Sequence, residues 1–212
     1  MPTPPYRTIV YVDGFNFYYG AVRGTPYKWL DCAALFEKVL GPENQLVKVK
    51  YFTARVQPTP HDPQVNQRQD TYLRALQTYC PRVELVFGHF LRHRMNMENA
   101  TPPPATVPVF RTEEKGSDVN LALHVLNDAW LDAYDCAVVV SNDSDLAESL
   151  RLVKQQHRKL VGLVTPGAPA RHTSQQLRQH ANFVKPIRTW MLRDSQLPSV
   201  IPGTTIHKPP RW

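Results

Sequence analysis

Ala137-Val138-Val139-Val140-Ser141-Asn142-Asp143-Ser144-Asp145-Leu146 is the stretch on which the fold turns. Its β-branched apolar start shows no alternation, which predicts a strand buried on both faces, as in a parallel sheet covered by helices. The run stops at a small polar turn holding two carboxylates. Helical spacing follows at once in Leu146, Leu150 and Val153. In sheets of this kind the functional crevice lies beyond the carboxyl ends of the strands, so Asp143 and Asp145 stand where chemistry is done. A structural role accounts for one of them: Asp145 can cap the helix, with Glu148 completing a capping box. It does not account for both.

The same arrangement opens the chain, where Thr8-Ile9-Val10-Tyr11-Val12 ends at Asp13-Gly14-Phe15-Asn16. Asn16, three residues past Asp13, can bring its amide near that carboxylate as a ligand or a substrate donor. A third polar junction, Glu113-Glu114-Lys115-Gly116-Ser117-Asp118, runs into a helix whose apolar face is read as Val119, Ala122, Leu123, Leu126 and Trp130. Asp118 falls in its first turn, where the helix dipole alone would favour a carboxylate.

Between these junctions the pattern alternates strand and helix. A helix is expected over Asp31 to Leu40, a strand over Gln45 to Thr53, a helix from about Gln64 to Tyr79, and a strand over Val83 to Phe90. A strand from Lys159 to Val164, a short helix from Arg171 to His180 and an extended segment from Phe183 to Ile187 follow. The result is a βαβ-type parallel sheet of about five strands flanked by helices, with right-handed crossovers. Residues 1–6 read as a tail, 7–187 as one domain, and 188–212 as a proline-containing C-terminal tail, expected to be mobile from Leu197 onward. The excursion at about 91–112 is too polar to fill a core and is expected to pass over the active-site edge. Arg92 and Arg94 are its candidate phosphate contacts, with a solvated loop as the equal alternative. Phe15 to Tyr19 holds four aromatics, suited to core packing or, less often, to base stacking.

The formal net charge is +7, and residues 151–212 hold eleven Lys/Arg against one carboxylate, Asp194. The first 150 residues are slightly acidic. An acidic site beside a basic flank suits a polyanion whose reacting phosphate needs a metal. No apolar run approaches the ~20 residues that span a bilayer. Cys32, Cys80 and Cys136 lack paired or metal-type spacing, which points to buried free thiols and a cytoplasmic location.

Val12-Asp13-Gly14-Phe15-Asn16, Lys115-Gly116-Ser117-Asp118 and Ser141-Asn142-Asp143-Ser144-Asp145, in that order, resemble the NYN domain family, a branch of the PIN-like nucleases. The resemblance runs from about residue 7 to about residue 187. It implies a Rossmann-like α/β fold and a carboxylate cluster that holds divalent metal for RNA cleavage. Asn142 departs from the pattern, since relatives have Gly there, and asks a non-glycine residue to take the turn.

If Asp13, Asp118, Asp143 and Asp145 converge, each like-charge pair at ~4 Å costs about 4 kcal/mol at an effective dielectric of 20. Protons or a hard cation must then neutralise them, and an all-oxygen donor set favours Mg²⁺ or Mn²⁺. The expected activity is hydrolysis of RNA phosphodiester bonds, with those four Asp as metal ligands and Asn16 beside them. Lys115 can neutralise a phosphate oxygen, with an exposed helix-start lysine as the equal alternative. Ser141 and Ser144 read as turn hydroxyls rather than nucleophiles, because no His stands near to activate them, and Ser141 is placed at the substrate. An RNA-binding module with little turnover and a metal enzyme acting on a small molecule are the alternatives. A homodimer is compatible with the sequence.

Overall fold

Unbroken apolar runs become the centre of a sheet only where both faces are covered, and the two runs that flank the candidate carboxylates lie side by side. In the computed structural model, which describes residues 3–167, 173–210 and 212, Val10 pairs with Val138 and Val12 with Val140. The elements in chain order are β1 (Tyr6–Asp13), α1 (Gly14–Phe17), α2 (Cys32–Val39), β2 (Asn44–Thr53), α3 (Val65–Tyr79), β3 (Val83–Phe87), β4 (His89–Glu98) and β5 (Thr106–Lys115). Then come α4 (Ser117–Trp130), β6 (Cys136–Val140), α5 (Ala147–Gln155), β7 (Leu160–Thr165), α6 (Gln175–His180), β8 (Phe183–Pro186) and α7 (Thr189–Arg193). Six strands form one sheet in the order β3-β2-β1-β6-β7-β8, every pair parallel. This is the Rossmann-like α/β class, with β8 supplying one strand more than the expected five.

Alternation along the central strands divides the core in two. Val10, Val12, Val138 and Val140 face one side, against Leu35 and Phe36 of α2 and Leu76 of α3. Ile9, Tyr11, Ala137 and Val139 face the other, against Leu121 and Val125 of α4 and Leu150 of α5. The helix α2 starts where Asp31 caps it, its carboxylate accepting the Ala34 N–H at 2.9 Å. All three cysteines are free and buried, and burial pushes the Cys32 and Cys136 thiols up to about 12.

Three expectations are corrected. In α4 the buried row is Leu121, Val125 and Ala129, while Val119, Leu123 and Trp130 are exposed. The sequence disguised this row because Asp128 lies in it. Its carboxylate pairs with Lys50 at 2.6 Å and accepts the Tyr11 hydroxyl at 2.8 Å, all inside the protein. Secondly, the polar excursion is no irregular loop: β4 and β5 form a two-stranded antiparallel ribbon, from His89 opposite Lys115 to Glu98 opposite Thr106. Its side chains are mostly exposed, so the burial signal of a strand was missing.

Thirdly, the C-terminal segment is packed rather than loose. Leu192, Leu197 and Ile201 are buried, Leu197 N–H bonds to the Trp29 carbonyl at 2.8 Å, and Trp212 lies against Trp29 and Tyr72. These few apolar residues, spaced between prolines, dock the segment onto α2 and α3. Arg171 and His172, where a helix was expected to begin, lie outside the described residues; α6 starts behind its cap, Ser174. Among the described residues no helix is long and apolar enough to cross a membrane.

Candidate active site

Chain direction reverses about β1: β2 and β3 lie to one side of it, β6, β7 and β8 to the other. Loops leaving the carboxyl ends of β1 and β6 part company there, and an open α/β sheet keeps its crevice at that point. Asp13 is the last residue of β1, and Ser141 follows β6 directly.

The Asp13 carboxylate is tied at both oxygens. Oδ1 accepts the Asn16 N–H at 3.0 Å, capping α1, and Oδ2 accepts the Ser141 hydroxyl at 2.9 Å. The fully buried Ser141 Oγ in turn accepts the Asp143 N–H at 3.1 Å. Asp143 Oδ1 accepts the Asp145 N–H at 3.1 Å, so Asp143 rather than Asp145 caps the 3₁₀ turn that leads into α5. Glu148 pairs with Arg151 instead of closing a capping box. Asn16 Oδ1 accepts the Asn142 N–H at 3.1 Å, and its Nδ2 has no partner among the described residues.

Asn142 needs no left-handed backbone, since Asp132 and Arg158 are the positive-φ non-glycine residues among those described. Its side chain has a task that Gly cannot perform: Oδ1 accepts the Ser174 N–H at 2.8 Å and fastens the start of α6 to the crevice.

Burial raises the Asp13 pKa. The two hydrogen bonds from Asn16 and Ser141 oppose that rise, and the charges of Asp143 and Glu114 add to it. Glu114 was not among the expected site residues. It stands one pair from the root of the ribbon, opposite Phe90, whose ring lies edge-on to Phe15 at 5.6 Å, and its carboxylate accepts both the N–H and the hydroxyl of Ser117 at the head of α4. The signal that would have found it is strand alternation across the hairpin, which puts Phe90 and Glu114 on one face.

The other expected residues divide as follows. Asp13, Asn16, Ser141 and Asp143 are brought together. Asp118 is exposed in the first turn of α4, and Asp145 is exposed at the turn after β6, neither with a side-chain partner among the described residues. Lys115 pairs with Glu113 at 2.9 Å. The Arg92 guanidinium lies over the Phe110 ring at 4.4 Å, and Arg94 stands opposite Phe110 in the ribbon. Among the described residues no three His, Cys, Asp or Glu side chains form a ready metal cage.

Fold and crevice together define a doubly wound α/β protein with an acid-bearing site at its switch point. The chain belongs to the NYN domain family, whose sequence model matches residues 7–188. It is 35% identical over 243 aligned positions to the 6-hydroxy-3-succinoylpyridine 3-monooxygenase HspA of Pseudomonas putida (strain DSM 28022 / S16), a match that covers 100% of this chain and 77% of that protein. Among solved structures it is similar to VPA0982 of Vibrio parahaemolyticus RIMD 2210633, a protein of unknown function. The TM-score is 0.52 at 21% identity, covering 89% of this chain and 98% of the other, a likeness of fold alone.

Proposed function

We propose that the crevice between β1 and β6 hydrolyses RNA phosphodiester bonds with the help of Mg²⁺ or Mn²⁺. The observation that carries this reading is the Asp13 carboxylate, half-buried at the switch point with the charges of Asp143 and Glu114 both bearing on it. Oxygen-only donors of this charge suit a hard cation. Magnesium keeps most of its water and takes one or two carboxylates plus substrate phosphate, so a full protein cage is not required of it. Asp13 and Asp143 are the residues that would hold it. Such an ion supplies a bound water of lowered pKa and offsets charge on the scissile phosphate.

The chain's own residues do the rest. Ser141 fixes Asp13 and the Asp143 backbone in one arrangement. Asn16 Nδ2, without a partner among the described residues, can donate to a phosphate oxygen. Glu114, Arg92 and Arg94 lie in ribbon pairs two residues apart, hence on one face, so the face that ends at the crevice carries two cations for the RNA backbone. The test is cleavage of single-stranded and structured RNA with Mn²⁺ or EDTA. Activity should vanish in EDTA and fall at least about 100-fold in Asp143→Asn. Cleavage that survives both would overturn the reading.

A second reading, oxygenation of a small hydroxypyridine, is favoured by one observation, the 35% identity to HspA across this whole chain. Incubation with 6-hydroxy-3-succinoylpyridine, O₂ and an electron donor, followed by mass analysis of the product, separates the two. A hydroxylated product together with intact RNA would favour the second.

A further inference from the structure

Beside the crevice lies a cavity of about 660 Å³, bounded by α1, the π-helical turn 18–22, the end of β2 and the first half of α3. That volume falls within the range of small-molecule sites. Its wall nearest the crevice is bare backbone at Gly14. A Cβ there would meet the Phe52 carbonyl at 2.6 Å and the Tyr51 ring at 2.7 Å, so only glycine fits where α1 packs on the end of β2.

Besides aliphatic side chains, the lining carries rings and cations. The rings of Tyr18, Tyr19 and Trp212 line the space together with those of the buried Tyr51 and Tyr72. Burial raises both of these phenols, which stay neutral, and the Tyr72 hydroxyl is already committed to the Leu30 carbonyl at 3.0 Å. Among the described residues three cations also line it, Arg23, Lys28 and Arg68, against one carboxylate, Asp62, which is paired with Arg68. Arg23 lies over the Tyr19 ring at 5.3 Å, and neither it nor Lys28 has an acidic partner among the described residues. The Tyr18 hydroxyl has no hydrogen-bond partner among them either, and the charges of Arg23 and Arg68 both reach it.

Cations without counter-charge beside ring walls repel a cationic ligand and are desolvated to no return by a hydrocarbon. A flat ring with one anionic group satisfies both: the ring lies on the aromatic walls, and the anion meets Arg23, Lys28 and the Tyr18 hydroxyl. We infer that this cavity is a binding site for a small aromatic anion, a planar ring carrying a carboxylate or a phosphate. It needs no metal and no crevice carboxylate, so it stands or falls apart from the hydrolytic reading.

The test is isothermal titration of the full chain with pyridine-3-carboxylate and with adenosine 5′-monophosphate, each beside its neutral counterpart, pyridine-3-carboxamide or adenosine. At least one anion should bind, at least about tenfold more tightly than its neutral counterpart. The double variant Arg23→Gln/Lys28→Gln, altered at an exposed and a half-buried position, should weaken it at least about tenfold. Asp143→Asn should leave it unchanged. Binding of the carboxylate alone identifies an aromatic acid as the source, and binding of the phosphate alone a nucleotide; either supports the site. No binding of either anion at about 10 mM, equal binding of the neutral compounds, or an undiminished affinity in the double variant overturns it. Affinity seen only with RNA oligonucleotides does so too, since it makes the cavity part of an extended RNA track.

Discussion

Replacing Ser141 by Ala removes one hydroxyl and two hydrogen bonds. The first is the 2.9 Å bond to the ionised Asp13, and bonds to charged groups contribute about 1.5–3 kcal/mol. The second is the 3.1 Å bond from the Asp143 N–H, which would lose its acceptor in a half-buried turn at a cost of about 1 kcal/mol. Ser141 is fully buried, and the methyl that remains gives Asp13 nothing to bind. The sum is about 3 kcal/mol. For a chain of this length each kcal/mol lowers Tm by roughly 2–4 °C, so Ser141→Ala should melt about 6–12 °C lower than the parent, without added metal. Urea denaturation followed by circular dichroism at pH 7 measures the same loss independently. Because the Ser141 bond also opposes the rise in the Asp13 pKa, the variant should hold that proton to higher pH. A stability change under about 0.5 kcal/mol would show that Asp13 is not anchored through Ser141 and would remove the basis for treating the two strand ends as one site.

Asp128→Asn leaves Lys50 buried with its counter-charge gone, and should cost about 3–5 kcal/mol in urea titration. The double change Lys50→Met/Asp128→Leu should recover most of that loss. At the surface, the Arg7 hydrogen bond holds the Asp135 carboxyl below its ordinary range, so the stability it contributes is present above that range and lost as pH falls through the lowered value. Arg7→Gln should therefore be less stable than the parent at pH 7, by about 1 kcal/mol or less, with the gap closing as pH is taken toward 2 in an acid titration. Charge reversal at both Arg92 and Arg94 should weaken RNA binding and flatten its dependence on salt while leaving thermal stability within about 0.5 kcal/mol. Filter binding at several salt concentrations reads the first, and an unchanged salt slope would take the ribbon out of RNA recognition.

The parallel sheet and its crevice were legible because Thr8–Val12 and Ala137–Val140 are unbroken apolar runs, each stopped by a polar turn bearing an acid. Such a run has one use in a parallel sheet, and its end is where loops diverge. The α4 face was misread because two apolar rows lie on opposite sides of that helix, and the buried one contains Asp128. A charge in a core row looks like a solvent face until its partner is known, and Lys50 is far away in sequence. Glu114 was hidden for a related reason. Its importance follows from strand pairing with Phe90, and pairing between two exposed strands leaves no hydrophobic trace. Asp118 was expected at the site through the resemblance of Lys115-Gly116-Ser117-Asp118 to the family's motif; it lies exposed in the first turn of α4.

The ribbon sets a rule of parity on this molecule. Glu114 near its root and Arg92 and Arg94 farther out occupy pairs that share one side only because their positions along each strand differ by two or four. One residue added to both strands between root and tip would turn the basic side away from the acid while every backbone bond stayed intact. The arm can therefore lengthen or shorten only in whole repeats of the pleat, two residues per strand at a time, if both ends are to address the same molecule.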